Sequence, residues 1–180
     1  EGCAEGDCGA CTVLVGKRVG KDLVYESVNA CIRFVGSLDA CHVVTIEHVS
    51  ADASHLHPVQ QAMIDFHGSQ CGFCTPGFVM SLWNLYEHHE QAPPRADLAD
   101  ALSGNLCRCT GYRPILDAGQ RMFDLPALTL DTAPVIRALQ TIDGGSDTFS
   151  YAANNPQQRT DHFHAPRTLD ALAQLREQNP

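Results

Sequence analysis

Nine cysteines stand out in this sequence because most of them occur in short, clustered spacings. They are Cys3, Cys8, Cys11, Cys31, Cys41, Cys71, Cys74, Cys107 and Cys109. An odd count and a clustered pattern differ from the dispersed, even-numbered framework of a disulfide-rich domain. Metal binding is therefore the favoured interpretation, with two sets of four ligands and one cysteine left over.

The first set joins Cys3, Cys8 and Cys11 in one loop to Cys31, which follows after nineteen intervening residues. Three ligands from one loop and a fourth from elsewhere is the plant-type [2Fe-2S] spacing. Three glycines alternate with the loop cysteines and allow backbone N–H groups to approach anionic sulfurs. They are Gly2, Gly6 and Gly9. A zinc ion with four thiolates is the alternative, although paired short knuckles are its usual signature.

The second set pairs Cys71 with Cys74 and Cys107 with Cys109. A disulfide between Cys107 and Cys109 would close a very small, strained ring. Each pair directly precedes a predicted helix, where unpaired N–H groups and the positive end of the helix dipole favour an anion. The pattern thus predicts a second, buried [2Fe-2S] cluster between two helix starts, with Arg108 projecting away from the metal.

The composition allows one ordinary domain or two small ones, with 180 residues and 44% hydrophobic content. A net charge of −9 argues against a nucleic acid or an anionic membrane as partner. No apolar run is long enough to cross a bilayer, and no basic and apolar leader is present. The chain opens inside the first cysteine motif without Met, which we interpret as the loss of its true start.

Apolar alternation predicts β-strands over residues 12–16, 22–28 and 42–49, with a turn at 16–21 between the first two. Cys41, the cysteine left over, is expected to be a small buried hydrophobe beside the third strand.

Helical periodicity then predicts four short helices, enough for a small bundle. Pro58 begins the first, Thr75 caps the second, and Asp97 caps the third, which ends near Gly104. The fourth helix follows Cys109, with Leu116 and Phe123 pointing inward.

GSQCGFCTPGFVMSL and GNLCRCTGYRPI resemble the helical iron–sulfur domain of the molybdenum hydroxylases, the xanthine dehydrogenase and aldehyde oxidase family. EGCAEGDCGACTV with VNAC is similar to the plant-ferredoxin-like domain that precedes it there. The resemblance implies an α+β chain: a β-grasp domain over 1–52, lacking the family's opening strand hairpin and helix, and an all-α four-helix bundle over 53–125. A polar linker over 126–160 and the start of an FAD-binding domain over 161–180 are expected to follow, the latter with an amphipathic helix over 163–180.

The resemblance also implies a function. A flavin domain on the same chain is typical of the bacterial xanthine dehydrogenase branch, in which a separate large subunit carries a molybdenum–pterin centre. The chain is then the cytoplasmic electron-transfer subunit of a heterotetramer or larger assembly that oxidises purines, passing electrons through two clusters to FAD and NAD. In the family, the positions of Gln70 and Cys109 lie beside the pterin, and no residue of this chain acts as acid, base or nucleophile.

Other functions remain open at this stage. The chain could belong to another molybdenum hydroxylase that oxidises aldehydes, carbon monoxide or N-heterocycles. It could be a free-standing double-cluster electron carrier, or a zinc-stapled interaction module with no redox role.

Overall fold

The computed structural model describes residues 1–50, 55–142, 145 and 147–179. It places a small antiparallel sheet first, then four helices, then a helix, a β-hairpin and a last helix. The predicted boundary at 52/53 lies outside the described residues, as do residues 143, 144 and 146 of the predicted linker. No helix in the described ranges is long and apolar enough to cross a membrane.

The sheet consists of β1 (Thr12–Val19), β2 (Asp22–Asn29) and β3 (Cys41–Val44), in the order β2-β1-β3. β1 and β2 form a hairpin in which Val19 pairs with Asp22, so the turn is only the two residues between them. The predicted turn at 16–21 was too long, because β1 continues three residues beyond residue 16. The third strand was also overextended, since a 3-10 helix follows at Ile46–His48.

The four predicted helices are confirmed as α1 (Pro58–Asp65), α2 (Thr75–His88), α3 (Arg95–Ala101) and α4 (Arg113–Arg121). Their predicted caps need correction. Cys74, not Thr75, is the N-cap residue of α2, and Pro94, not Asp97, precedes α3. Proline in the first turn of α1, α2 and α4 explains these starts, because its missing N–H would be unpaired there in any case.

One hydrophobic core joins the sheet to the bundle. Its fully buried members include Leu14 and Val44 from the sheet, and Phe78, Leu98 and Ile115 from the helices. Two residues predicted to point inward, Leu116 on α4 and Phe123 in the 3-10 turn that follows it, are only partly buried against that core. Ile115 and Met122 occupy the interior instead, because the apolar face of α4 is rotated by one residue from the predicted one.

The predicted linker contains regular structure. Helix α5 (Ala133–Ile142) and strand β4 (Thr148–Asn154) lie within 126–160, and β4 pairs with β5 (Thr160–Pro166). The predicted helix over 163–180 begins later, as α6 (Leu169–Gln178), because residues 163–166 belong to β5. The polar composition of this region had hidden the apolar spacing of α5, which buries Leu139.

Candidate iron–sulfur sites

The eight predicted ligands lie in two groups, one at the start of the sheet and one at the ends of two helices of the bundle. The loop of residues 3–11 precedes β1, and Cys31 lies in a 3-10 helix at Ala30–Ile32 directly after β2. The hairpin brings the two ends together, since the Ala30 N–H donates to the Cys11 carbonyl at 3.3 Å. The Cys31 N–H donates to Cys11 Sγ at 3.4 Å, which places the predicted fourth ligand on the loop.

Backbone N–H groups surround Cys3. The Cys8 N–H donates to Cys3 Sγ at 3.4 Å. The amides of Glu5, Cys8 and Asp7 together lower the pKa of Cys3 to about 6, because they stabilise its thiolate. Gly6 and Gly9 take positive φ values of +79° and +70°, as the tight loop requires. This part of the loop is prepared to hold an anionic sulfur.

In the second group, the thiol of Cys71 interacts with that of Cys109, and the thiol of Cys74 with that of Cys107. Within each pair the thiol pKa values are pushed apart. The Phe73 amide lowers the pKa of Cys71, whereas the hydrogen bond to Cys71 raises that of Cys109. Burial raises the pKa of Cys74 to about 11. Burial also tends to raise the pKa of Cys107, but hydrogen bonds from Thr110 outweigh it, so the pKa of Cys107 is lowered.

The pairing has a chemical meaning. Among the residues that the structure describes, no three His, Cys, Asp or Glu side chains converge on one point suited to a single ion. A [2Fe-2S] cluster takes two thiolates at each of two irons. The two bundle pairs, Cys71 with Cys109 and Cys74 with Cys107, supply the four sulfurs that such a cluster takes. Sulfur donors with N–H groups directed at them fit the predicted cofactor.

The exposure of the bundle group differs from the prediction. Cys107 is buried and Cys74 is half-buried, but Cys71 and Cys109 are exposed. The expectation of a buried bundle group was therefore wrong for Cys71 and Cys109, whereas the four loop-group cysteines are all half-buried. The reason is that Cys71 and Cys109 lie on irregular loops ahead of α2 and α4, at the surface end of the bundle.

Gln70 and Arg108 are exposed beside this group. The exposure of Arg108 agrees with the expectation that it projects outward. Cys41, the cysteine left over, is half-buried at the start of β3, with its Sγ 3.4 Å from the Asp39 carbonyl. The prediction of a buried residue beside the third strand was therefore only partly right, although partial burial does raise the pKa of Cys41.

A buried polar side chain, missed by the sequence analysis, connects the two groups. Asn105 donates to the Gly9 carbonyl at 3.0 Å and to Thr12 Oγ1 at 3.2 Å, and it accepts from Ser81 Oγ at 2.6 Å. Next to it, the Leu106 N–H donates to the carbonyl of Cys8 at 3.0 Å.

The Leu106 hydrogen bond links a ligand of the loop group to the residue preceding a ligand of the bundle group. Asn105 and Leu106 lie inside the motif GNLCRCTGY, so their position beside a predicted ligand was the only available signal.

Known proteins resemble a large part of the chain. Residues 45–120 match the [2Fe-2S] binding domain family. The chain is 50% identical to xanthine dehydrogenase 1 of Arabidopsis thaliana and 51% identical to aldehyde oxidase 1 of Oryctolagus cuniculus. Each alignment extends over 119 residues, which is 65% of the chain. The chain spans about 9% of the length of these relatives.

Two solved structures resemble the chain. Quinoline 2-oxidoreductase from Pseudomonas putida 86 matches with a TM-score of 0.58 and 29% identity, over 78% of this chain and 74% of that one. Aldehyde oxidoreductase from Desulfovibrio gigas matches with a TM-score of 0.60 and 37% identity, over 68% of this chain and 13% of that one. The chain therefore contains a [2Fe-2S] binding domain and is homologous to xanthine dehydrogenases and aldehyde oxidases.

Proposed function

We propose that this chain is the electron-transfer part of a molybdenum hydroxylase, and that its two cysteine groups each hold a [2Fe-2S] cluster. The loop cluster is held by Cys3, Cys8, Cys11 and Cys31. The bundle cluster is held by Cys71, Cys74, Cys107 and Cys109. A bound [2Fe-2S] cluster supplies one-electron chemistry with little movement of its ligands.

The observation that carries this proposal is the contact between the two cysteine groups. The Leu106 N–H donates to the Cys8 carbonyl, and Cys107 is the next residue. The Phe73 ring lies 3.1 Å from the position of a Cβ on Gly2, so the loop between Cys71 and Cys74 contacts the loop beside Cys3. Because the two cysteine groups are joined by a hydrogen bond and by packing, electron transfer between two clusters in one molecule is favoured over two unrelated structural metal sites.

We infer that the bundle group faces the molybdenum–pterin centre of a partner subunit. Cys109 and Gln70, both exposed, occupy the positions that resemble pterin-adjacent ones. Apolar side chains are also exposed there, with Phe73 62% and Leu106 48% exposed, as a surface covered by a partner would have.

We infer that the loop group faces a flavin domain. The C-terminal hairpin packs close to the loop group: the rings of Phe163 and Phe34 lie 6.5 Å apart, and Arg167 forms an ion pair with Asp39 at 3.3 Å. These contacts fall just after Cys31, so a domain continuing from this hairpin would lie on that side. The proposal also includes FAD on the complete subunit, NAD as final electron acceptor and a purine as substrate. The enzyme is proposed to be cytoplasmic and to form a heterotetramer or a larger assembly.

The order of the two groups is tested in the complete enzyme by electron paramagnetic resonance. Magnetic coupling from paramagnetic molybdenum should fall mainly on the bundle cluster and should persist in a Cys8→Ala variant. In Cys107→Ala, substrate should reduce molybdenum while the flavin stays oxidised. Stronger coupling of molybdenum to the loop cluster, surviving in Cys107→Ala, would show that the order is reversed.

A further inference from the structure

Thr110 contacts the sulfur of Cys107 through both its side chain and its backbone. Its hydroxyl oxygen lies 3.2 Å from Cys107 Sγ, and its N–H donates to the same sulfur at 3.5 Å. The residue is half-buried between Cys109 and the start of α4. A single residue thus places two hydrogen-bonding groups on one predicted ligand.

The direction of the hydroxyl hydrogen bond follows from its other partner. The Tyr112 N–H donates to Thr110 Oγ1 at 3.2 Å and so occupies one lone pair of that oxygen. The Tyr112 hydroxyl in turn accepts the Cys107 N–H at 3.0 Å. A cysteine bound to iron is a thiolate without a proton, so the hydroxyl proton of Thr110 is the one available to lie between oxygen and sulfur.

Other predicted ligands receive different donors. Cys3 and Cys11 accept backbone N–H groups from Cys8 and Cys31. Among the described residues, Thr110 has the hydroxyl group that lies within hydrogen-bonding distance of a predicted ligand sulfur. Hydrogen bonds to the sulfurs help to set the reduction potential of an iron–sulfur cluster, because they stabilise the state with more negative charge.

We propose that Thr110 is a positioning residue that acts through Cys107 to raise the reduction potential of the bundle cluster above the value it would have without this hydroxyl. This inference rests on the proposed function, since it requires a cluster in the bundle group. On reduction, one electron from dithionite, or from the substrate-reduced partner, is taken up. No bond forms or breaks, and Thr110 keeps its proton.

The test is a potentiometric titration of the complete, cluster-loaded enzyme, followed by electron paramagnetic resonance of each cluster. Thr110→Val removes the hydroxyl at nearly constant shape and should lower the one-electron reduction equilibrium constant of the bundle cluster about tenfold, or about 59 mV. Thr110→Ser should restore most of that loss. The loop cluster should keep its potential in both variants.

Thr75→Val is the matched control, because Thr75 also follows a predicted bundle ligand but its hydroxyl donates to Ser69 Oγ at 2.7 Å. Its bundle cluster should keep the wild-type potential. An unchanged potential in Thr110→Val, or an equal decrease in Thr75→Val, would overturn the inference while leaving the proposed function intact.

A second measurement covers the case in which Thr110→Val does not load its bundle cluster. Wild-type enzyme exchanged briefly into heavy water should show a strongly coupled deuteron from the hydroxyl in electron–nuclear double resonance of the reduced bundle cluster, whereas this signal should be missing in Thr110→Ala. Its absence from the wild type would overturn the inference. Absence of any bundle cluster signal in the wild type would overturn the proposed function as well.

Discussion

At the scale of single residues, His57 shows how one side chain joins three parts of the chain. Its Nδ1 accepts the Val59 N–H at 3.2 Å and caps α1, which leaves the proton on Nε2 to donate to the Leu128 carbonyl at 3.1 Å. The ring is buried against Trp83 and Tyr86. Both hydrogen bonds are satisfied only by the neutral imidazole, because protonation would place a hydrogen on Nδ1 against the Val59 N–H.

Burial lowers the pKa of His57 below its ordinary value of about 6.5. The unfolded chain therefore binds this proton more readily than the folded chain. The free energy of unfolding should be greatest above pH 6.5 and should fall as the pH decreases from there toward the folded-state pKa. Urea denaturation at pH 8 and pH 5.5 should show a smaller decrease for His57→Gln than for wild type.

His88→Gln is the control for this prediction, since His88 is exposed on α2. It should retain the wild-type decrease. His42 has a pKa lowered by burial and by His48, so some pH dependence should remain in every variant. An identical decrease in His57→Gln and wild type would contradict the assignment of a neutral, buried His57.

At the scale of elements, the contact between the loop of residues 3–11 and the helical bundle depends on two closely packed glycines. A Cβ on Gly9 would lie 2.3 Å from the Gly104 carbonyl oxygen, and one on Gly77 would lie 2.1 Å from the Gly9 carbonyl oxygen. Gly77 is in the first turn of α2, just after Cys74. The loop and α2 can approach this closely only because neither position carries a side chain.

Gly9→Ala and Gly20→Ala separate the effect of this contact from that of backbone conformation. Both glycines have positive φ, +70° and +63°, but Gly20 lies in open space. Gly20→Ala should cost about 1 kcal/mol of unfolding free energy, from conformation alone. Gly9→Ala should cost clearly more and should weaken magnetic coupling between the two clusters. Equal costs in urea denaturation would show that the contact at Gly9 is not tight.

Asn105 contributes to the same contact between the loop and the bundle through hydrogen bonds. Asn105→Ala should lower the free energy of unfolding by roughly 2–4 kcal/mol, because the Gly9 carbonyl and the Ser81 hydroxyl lose a buried partner. Asn105→Asp keeps the size but cannot donate to Gly9, so it should be no more stable than Asn105→Ala. Wild-type stability of Asn105→Asp in urea denaturation would contradict this role, whereas Asn154→Ala, at an exposed position of β4, should change little.

At the scale of the whole molecule, the sequence predicted what depends on spacing and missed what depends on contact between distant residues. The two cysteine groups follow from loop and pair spacings, and the four bundle helices follow from apolar periodicity and prolines. Asn105 reaches residues more than ninety positions away, so no local pattern revealed its partners. The exposure of Cys71 and Cys109 depends on how loops close over the end of the bundle, which helical periodicity does not describe.

The central claim, that one chain holds two [2Fe-2S] clusters on eight named cysteines, is tested most directly by iron and inorganic sulfide analysis of the complete protein with matched spectra. Wild type and Cys41→Ala should each contain about four iron and four sulfide ions per chain, with two distinct signals after reduction. Cys109→Ala should lose about half of both ions and only the bundle signal. Zinc in place of iron, loss of iron in Cys41→Ala, or both signals persisting in Cys109→Ala would contradict the account.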